Sequence, residues 1–268
     1  SSTKRVANYY RFNFTKDDNP SSHWSYLYSI IQNCNLILMN IDKLAIDEED
    51  KAYRDDLKGE ALAIRGLALF DLTRIFGYPY LKDNGASLGV PIIEGLSTID
   101  SKPTRNTVAQ CYTKIIDDLT QSISLLGEKF NKGKINKWGA MVLLSRVYLY
   151  KGENANALKM AGDAITGAEK NKYALWTNED YPTAWGEDAS ASKPGEVLFE
   201  IVNLTTDSPG KESMGYLNSY DGYDDMCITC SFYQFLKEDP KDIRLKLLSF
   251  DKKYYAYVNK YQPQSEEN

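Results

Sequence analysis

Residues 137–168 read KWGAMVLLSRVYLYKGENANALKMAGDAITGA. Two helix-forming runs flank Gly152, a residue that takes the positive φ of a helix stop at little steric cost. Ala157, Ala161, Ala164 and Ala168 recur at i, i+4, i+7 and i+11, which places them on one face of the second run. So slim a face lets another helix come close. On the first run Ser145 offers a small side chain, with Tyr148 three residues later. The stretch predicts a helical hairpin.

Working upstream, the same periodicity recurs. Ile30, Ile31, Cys34, Leu38 and Ile41 fall on one helical face, with Gln32 and Asn33 on the other. Leu57, Ala61, Ile64, Ala68 and Leu72 form a second stripe that ends at Phe76-Gly77-Tyr78-Pro79, where the helix cannot continue. These two helices are expected to pair. After a Gly- and Pro-punctuated connection from Lys82 to Pro103, a second pair follows: Tyr112, Ile115, Ile116, Leu119, Ile123 and Leu126 on one helix, Ala140, Leu143, Leu144 and Val147 on its partner. A third pair is expected to start at Asn156. Small residues and one Tyr at fixed places in successive hairpins are the tetratricopeptide pattern, whose units stack into a solenoid. The expected fold class is mainly α: tetratricopeptide-like helical hairpins in an α-α superhelix, with an irregular, loop-rich ligand-binding region.

That region begins at Tyr173, where helical periodicity fades and aromatics fall among Gly, Pro, Ser, Asn and Asp. Glu196 to Val202 is the strand candidate, being short, β-branched and aromatic. Ser231 to Leu248 reads as helix broken at Pro240. The expected division is a helical scaffold over 1–172 and a loop-rich part over 173–268, together one integrated domain.

Composition narrows the function. Against 37 Asp and Glu stand 32 Lys and Arg, a formal charge of −5, and no basic run offers the contacts that nucleic acid requires. Nucleic acid is not an expected partner. The 20 Tyr residues exceed what a core needs and point to a contact surface. Apolar runs such as Ala61 to Phe76 are interrupted by charge, so no spanning helix is expected. The chain opens Ser1-Ser2-Thr3-Lys4 without Met or a signal segment, which reads as a processed or trimmed product whose membrane anchor lies outside it.

Chemistry-bearing constellations are few. Cys34 and Cys111 read as small core residues, while Cys227 and Cys230 form a CxxC that lacks further ligands, because His23 is the only His. Asp221, Asp224 and Asp225 lack the spacing of an EF-hand loop. Gly127 to Lys134 has the wrong spacing for a phosphate loop. Neither metal nor cofactor is expected. With one His there is no ordinary catalytic triad, which leaves paired carboxylates, as in glycoside hydrolases, as the enzymatic alternative.

Three stretches resemble SusD/RagB proteins. Trp24-Ser-Tyr-Leu-Tyr-Ser-Ile-Ile-Gln-Asn-Cys-Asn35 is similar to that family's opening helix. Gly59-Glu-Ala-Leu-Ala-Ile-Arg65, continuing through Phe70 and Phe76-Gly77-Tyr-Pro79 to Gly89-Val-Pro91, looks like its most recognisable signature. Arg105, Tyr112, Asp117-Asp118-Leu119 and the Ala140 to Gly152 helix make the third, with weaker echoes at Glu196 to Ile201, Phe232 to Phe235, Asp242 and Arg244. The resemblance implies a non-catalytic glycan-binding protein at the extracellular face of the outer membrane, lipid-anchored in its precursor. It implies a SusC-like, TonB-dependent transporter as partner, and a chain shorter than family members usually are. Some relatives are thought to take peptides, so a peptide-binding or protein-interaction scaffold is the alternative within the fold.

A sugar ring presents apolar C–H faces edged by hydroxyls, so its site pairs exposed aromatics with a few polar anchors. Three segments have that composition. Tyr9-Tyr10-Arg11-Phe12-Asn13-Phe14 precedes the first helix, Tyr181 and Trp185 flank a Pro-Thr-Ala loop, and Tyr216, Asn218, Tyr220, Asp221 and Tyr223 are the densest mixture. Trp185, Tyr220 and Tyr223 are expected to stack on sugar; Asn13, Asn218 and Asp221 to bond hydroxyls; Tyr10, Tyr181 and Tyr216 to contribute further ligand contacts. The plainer alternative for Trp185 is packing near Phe199. Trp24, Glu60, Arg65 and Arg105 read as scaffold, the charges bridging to neighbouring helices.

Overall fold

The computed structural model describes residues 11–13, 15, 21–98, 100–129, 133–185, 195–202, 206, 209–219, 222–223, 226–250 and 256–261. The chain divides into two compact units, one formed by Pro20–Tyr173 with Val197–Ile201, the other by Ser1–Asn19, Ala174–Glu196 and Val202–Asn268.

The first unit is helical, as the periodicity predicts. Helices α1 (Ser21–Asn40), α2 (Lys51–Phe76), α3 (Val108–Leu125), α4 (Lys137–Lys151) and α5 (Asn154–Lys170) pack each on the next in chain order. Their ends follow local chemistry. Thr107 and Gln110 form a reciprocal capping box at the start of α3, and Asn136 accepts the Gly139 amide at the start of α4. Gly152 closes α4 at φ 83°, the left-handed stop expected of it. Ser145 donates to the Ala157 carbonyl across the hairpin at 2.8 Å, so its small hydroxyl ties α4 to α5. The core holds Phe70, Leu72, Val108, Ile115, Leu119 and Leu144.

Several expectations need correction. Helix α5 begins at Asn154 and pairs with α4, so it completes a hairpin and opens no third pair. On α1, Ile30 is 38% exposed while Asn35 is fully buried. A polar side chain belongs on that inner face because its partners are there. Asn35 Nδ2 donates to the carbonyls of Ile93 and Gly95 at 2.8 and 3.0 Å, and its Oδ1 accepts from Arg65. Glu196 to Val202 is no strand. Leu198 packs with Trp138, Ala168 and Tyr173, and Phe199 packs on the helical core, so the apolar residues of this segment cover helices without pairing in a ladder.

The scaffold reading of the charged residues stands. Arg65 forms a two-pronged pair with Asp118, Glu60 meets Lys134 at 3.5 Å, and Arg105 donates to the Phe76 carbonyl with its guanidinium 5.8 Å from the Trp24 ring.

In the second unit, α6 (Met214–Asn218) and α7 (Cys230–Lys237) accompany a short antiparallel pair, β1 (Leu248–Phe250) and β2 (Ala256–Val258), in register Leu248↔Val258. Helix α7 stops before Pro240, and a 3-10 turn at Ile243–Leu247 leads into β1. Ile228 extends the pairing by donating to the Ala256 carbonyl at 2.7 Å. No helix among the described residues is long and apolar enough to cross a membrane.

Candidate ligand-binding site

The Pro-Thr-Ala loop is a coil closed by its own polar groups. Asp180 N donates to Thr177 Oγ1 at 3.1 Å, and Tyr181 N and Ala184 N donate back to the carbonyls of Thr177 and Asp180 at 2.9 Å. This winding sets Tyr181 and Trp185 one helical turn apart, with ring centroids 5.7 Å apart in an edge contact. Trp176 and Tyr261 reach the same indole at 5.0 and 5.9 Å, and the Lys260 ammonium lies 3.5 Å from its centroid. Trp185 is thus enclosed by three rings and a cation, and Phe199 belongs to the helical core.

Tyr216 and Tyr223 also come together, centroids 5.2 Å apart at 82°. Ser213 caps α6 by accepting the Tyr216 amide, and Tyr223 N donates to the Tyr216 carbonyl at 3.0 Å. Gly222 permits this return: a Cβ there would sit 1.9 Å from the Tyr216 carbonyl oxygen.

Two residues beyond Tyr216, Asn218 ends α6 and lines a cavity of about 250 Å³. Met214, Met226, Ile228 and Val258 supply an apolar wall, and Tyr261 joins this cavity to the Trp185 ring cluster. Asn218 Nδ2 donates to the Met214 carbonyl at 2.9 Å, whereas its Oδ1 is buried with no partner among the described residues. A buried acceptor left unmade costs free energy, so the Asn218 amide gains when it turns Oδ1 toward a hydroxyl donor in the cavity. The volume is below the roughly 300–1,000 Å³ of drug-sized pockets, so it suits one end of a ligand.

The structure brings together Trp185 with Tyr181 and Tyr216 with Tyr223, and sets Asn218 on the cavity. Asn13 is exposed beside Phe12, whose φ is 52°. Tyr10, Tyr220, Asp221, Asp224 and Asp225 lie outside the described residues. The sequence reading missed Tyr261, Lys260 and the Met214/Met226 wall, which come from separated stretches with no shared motif. Cys227, also on the cavity, and Cys230 are exposed thiols. Among the described residues no group of three or more His, Cys, Asp or Glu could hold a metal ion.

A family model for SusD-like proteins, described as starch-binding and associating with the outer membrane, matches residues 2–149. The chain belongs to the SusD-like family. A crystal structure from Bacteroides vulgatus, provisionally assigned to sugar binding, is 80% identical with a TM-score of 0.93, covering 100% of this chain and 60% of its own. A SusD superfamily protein of the same species is 38% identical with a TM-score of 0.83, covering 92% and 56%. A SusD-like protein of Bacteroides ovatus is 27% identical over 150 residues, 55% of this chain and 26% of its own length. This SusD-like chain therefore spans about 60% of those solved structures and a quarter of that curated relative.

Proposed function

We propose that this SusD-like protein captures glycan at the Asn218 cavity without catalysis and passes it to a SusC-like, TonB-dependent transporter at the extracellular face of the outer membrane. The observation that carries the reading is Asn218, which lines an apolar cavity edged by Tyr261 and whose buried Oδ1 has no partner among the described residues. That arrangement accepts a sugar hydroxyl while Met214, Met226 and Tyr261 meet the C–H face. Trp185 holds Tyr261 in place, and Tyr181, Tyr216 and Tyr223 frame the approach; Tyr10, Asn13, Tyr220 and Asp221 are proposed as further ligand contacts on their residue chemistry alone. Family membership and the sugar-binding assignment of the Bacteroides vulgatus relative support the same ligand class.

The test is calorimetric titration with a panel of plant and host polysaccharides and their oligosaccharides, run beside a reducing-sugar assay. Saturable binding, lost in Asn218→Ala and Tyr261→Ala without sugar release in the wild type, is the expected result. Release of reducing ends, or binding that both variants retain, overturns it.

A further inference from the structure

A second cleft, of about 500 Å³, lies in the helical unit, and none of the expected ligand contacts among the described residues lines it. One wall is a stripe two residues wide on α1: Trp24 and Ser25, Tyr28 and Ser29, Gln32 and Asn33, recurring every four residues. The opposite wall is the connection after α2, which contributes Pro91, Ser97, Thr98, Ser101 and Pro103.

Both walls are fixed by hydrogen bonds. Tyr28 donates to the Pro91 carbonyl at 2.7 Å, and the Gln32 amide exchanges two bonds with Ser97, Nε2 to Oγ at 2.9 Å and Ser97 N to Oε1 at 3.2 Å. Beyond them Thr98 N donates to Ser101 Oγ at 2.9 Å, which closes the turn. The Trp24 ring is held by Tyr28 and Phe76, centroids 5.0 and 4.9 Å away. A connection pinned this way loses little entropy when a ligand arrives.

The chemistry of the lining selects the ligand. The described lining holds aromatic, proline and isoleucine faces, hydroxyls and side-chain amides and no acidic or basic side chain, with the Arg105 guanidinium 5.8 Å from the Trp24 ring. Hydroxyls and amides both donate and accept, which matches a ligand whose every edge is a hydroxyl. A charged ligand would give up its hydration here with no opposite charge among the described lining residues to replace it. The volume lies within the range of small-molecule sites.

We infer that this cleft is a second binding site, selective for neutral oligosaccharides and independent of the Asn218 cavity. The test uses the full chain labelled with ¹⁵N, because of the four tryptophans Trp24 alone lines this cleft among the described residues, while Trp176 and Trp185 both sit in the cluster that Tyr261 joins. Maltohexaose, laminarihexaose, xylohexaose and mannohexaose are the neutral probes, with oligogalacturonate and a neutral Gly-Ser peptide as contrasts. At least one neutral probe is expected to shift the Trp24 indole signal saturably. Ser29→Phe, at an exposed position whose hydroxyl bonds only its own helix, is expected to weaken that shift at least tenfold. Asn218→Ala is expected to leave it unchanged, so the two sites fail or succeed separately. The inference is overturned if no neutral probe moves the Trp24 signal, if Ser29→Phe leaves the shift intact with an unchanged melting curve, or if oligogalacturonate or the peptide binds as well.

Discussion

Arg65 on α2 grips Asp118 on α3 with two parallel bonds, Nε to Oδ2 at 2.8 Å and Nη2 to Oδ1 at 2.6 Å, and Asp118 is fully buried. Lys114 adds a second cation to Asp118 at 3.2 Å, and Asn35 on α1 accepts from Arg65 at 2.9 Å. One ion pair thereby ties three helices together. Burial alone would lower the Arg65 pKa, but its bonds to Asp118 more than offset that and raise it.

Removing one partner should therefore cost far more than the pair contributes. Asp118→Ala leaves a guanidinium without its counter-ion in the core, and the expected loss is about 3–5 kcal/mol. The double replacement Arg65→Met with Asp118→Leu removes both charges and should recover most of it. Urea melts of the single and double variants measure this. A single variant as stable as wild type would mean that Lys114 and solvent already compensate for the missing partner.

Alkaline stability follows from buried acids that the fold keeps protonated. Burial raises the Cys34 thiol from 9.0 to about 11 and the Tyr112 phenol from 10.0 to about 12, and it raises Cys111 and Tyr28 as well. Each folded pKa exceeds the unfolded one. The protection is thus whole below the unfolded value and is lost as pH rises toward the folded value, at about 1.4 kcal/mol per pH unit for each group. Unfolding free energy is expected to hold to about pH 9 and then decline. Replacing both Cys34 and Cys111 with Ala should leave only the phenols and move the onset toward pH 10, as read by denaturant melts across the range.

Two glycines of α5 should respond with opposite signs. Gly162 has nothing within 4 Å of an added Cβ, so Gly162→Ala should stabilise by about 0.5–1 kcal/mol through helix propensity. At Gly167 the same methyl would lie 2.1 Å from the Trp138 ring, inside the buried Trp138, Ala168 and Tyr173 cluster. Gly167→Ala should destabilise by about 1–3 kcal/mol through overpacking. Thermal melts of the two variants against wild type decide it. Equal shifts would show that the indole moves aside at no cost.

These pairs also mark what a sequence can carry. The α4–α5 hairpin was legible because Gly152 and the alanines at 157, 161, 164 and 168 act locally, through backbone conformation and helical period. Glu196 to Val202 was misread because β-branched and aromatic composition describes an extended, half-buried segment equally well when its neighbour is a helix. Asn35 escaped the apolar stripe because its partners, Ile93, Gly95 and Arg65, are 30 or more residues away. The Asn218 cavity was legible at Asn218 itself and illegible at Met226, Ile228, Val258 and Tyr261. Only the turn after α6 and the β1–β2 pairing bring those residues to one wall, and neither has a local signal for the partner it will meet.

Asn218 separates a ligand group from a structural one. An Asn kept for stability would lose stability on any replacement, whereas here one of its two polar atoms has no partner among the described residues. Asn218→Leu forfeits the bond to Met214, worth about 1 kcal/mol net, but removes a buried acceptor whose desolvation costs about 1–3 kcal/mol. It also adds apolar contact to the wall of Met214 and Val258. The expected outcome is an unchanged or slightly higher melting temperature together with glycan affinity reduced at least tenfold, the loss of one ligand hydrogen bond at a buried acceptor. Calorimetric titration and a melting curve on the same preparation read both. A lower melting temperature with affinity intact would make Asn218 a helix-end residue of α6 and move the glycan elsewhere.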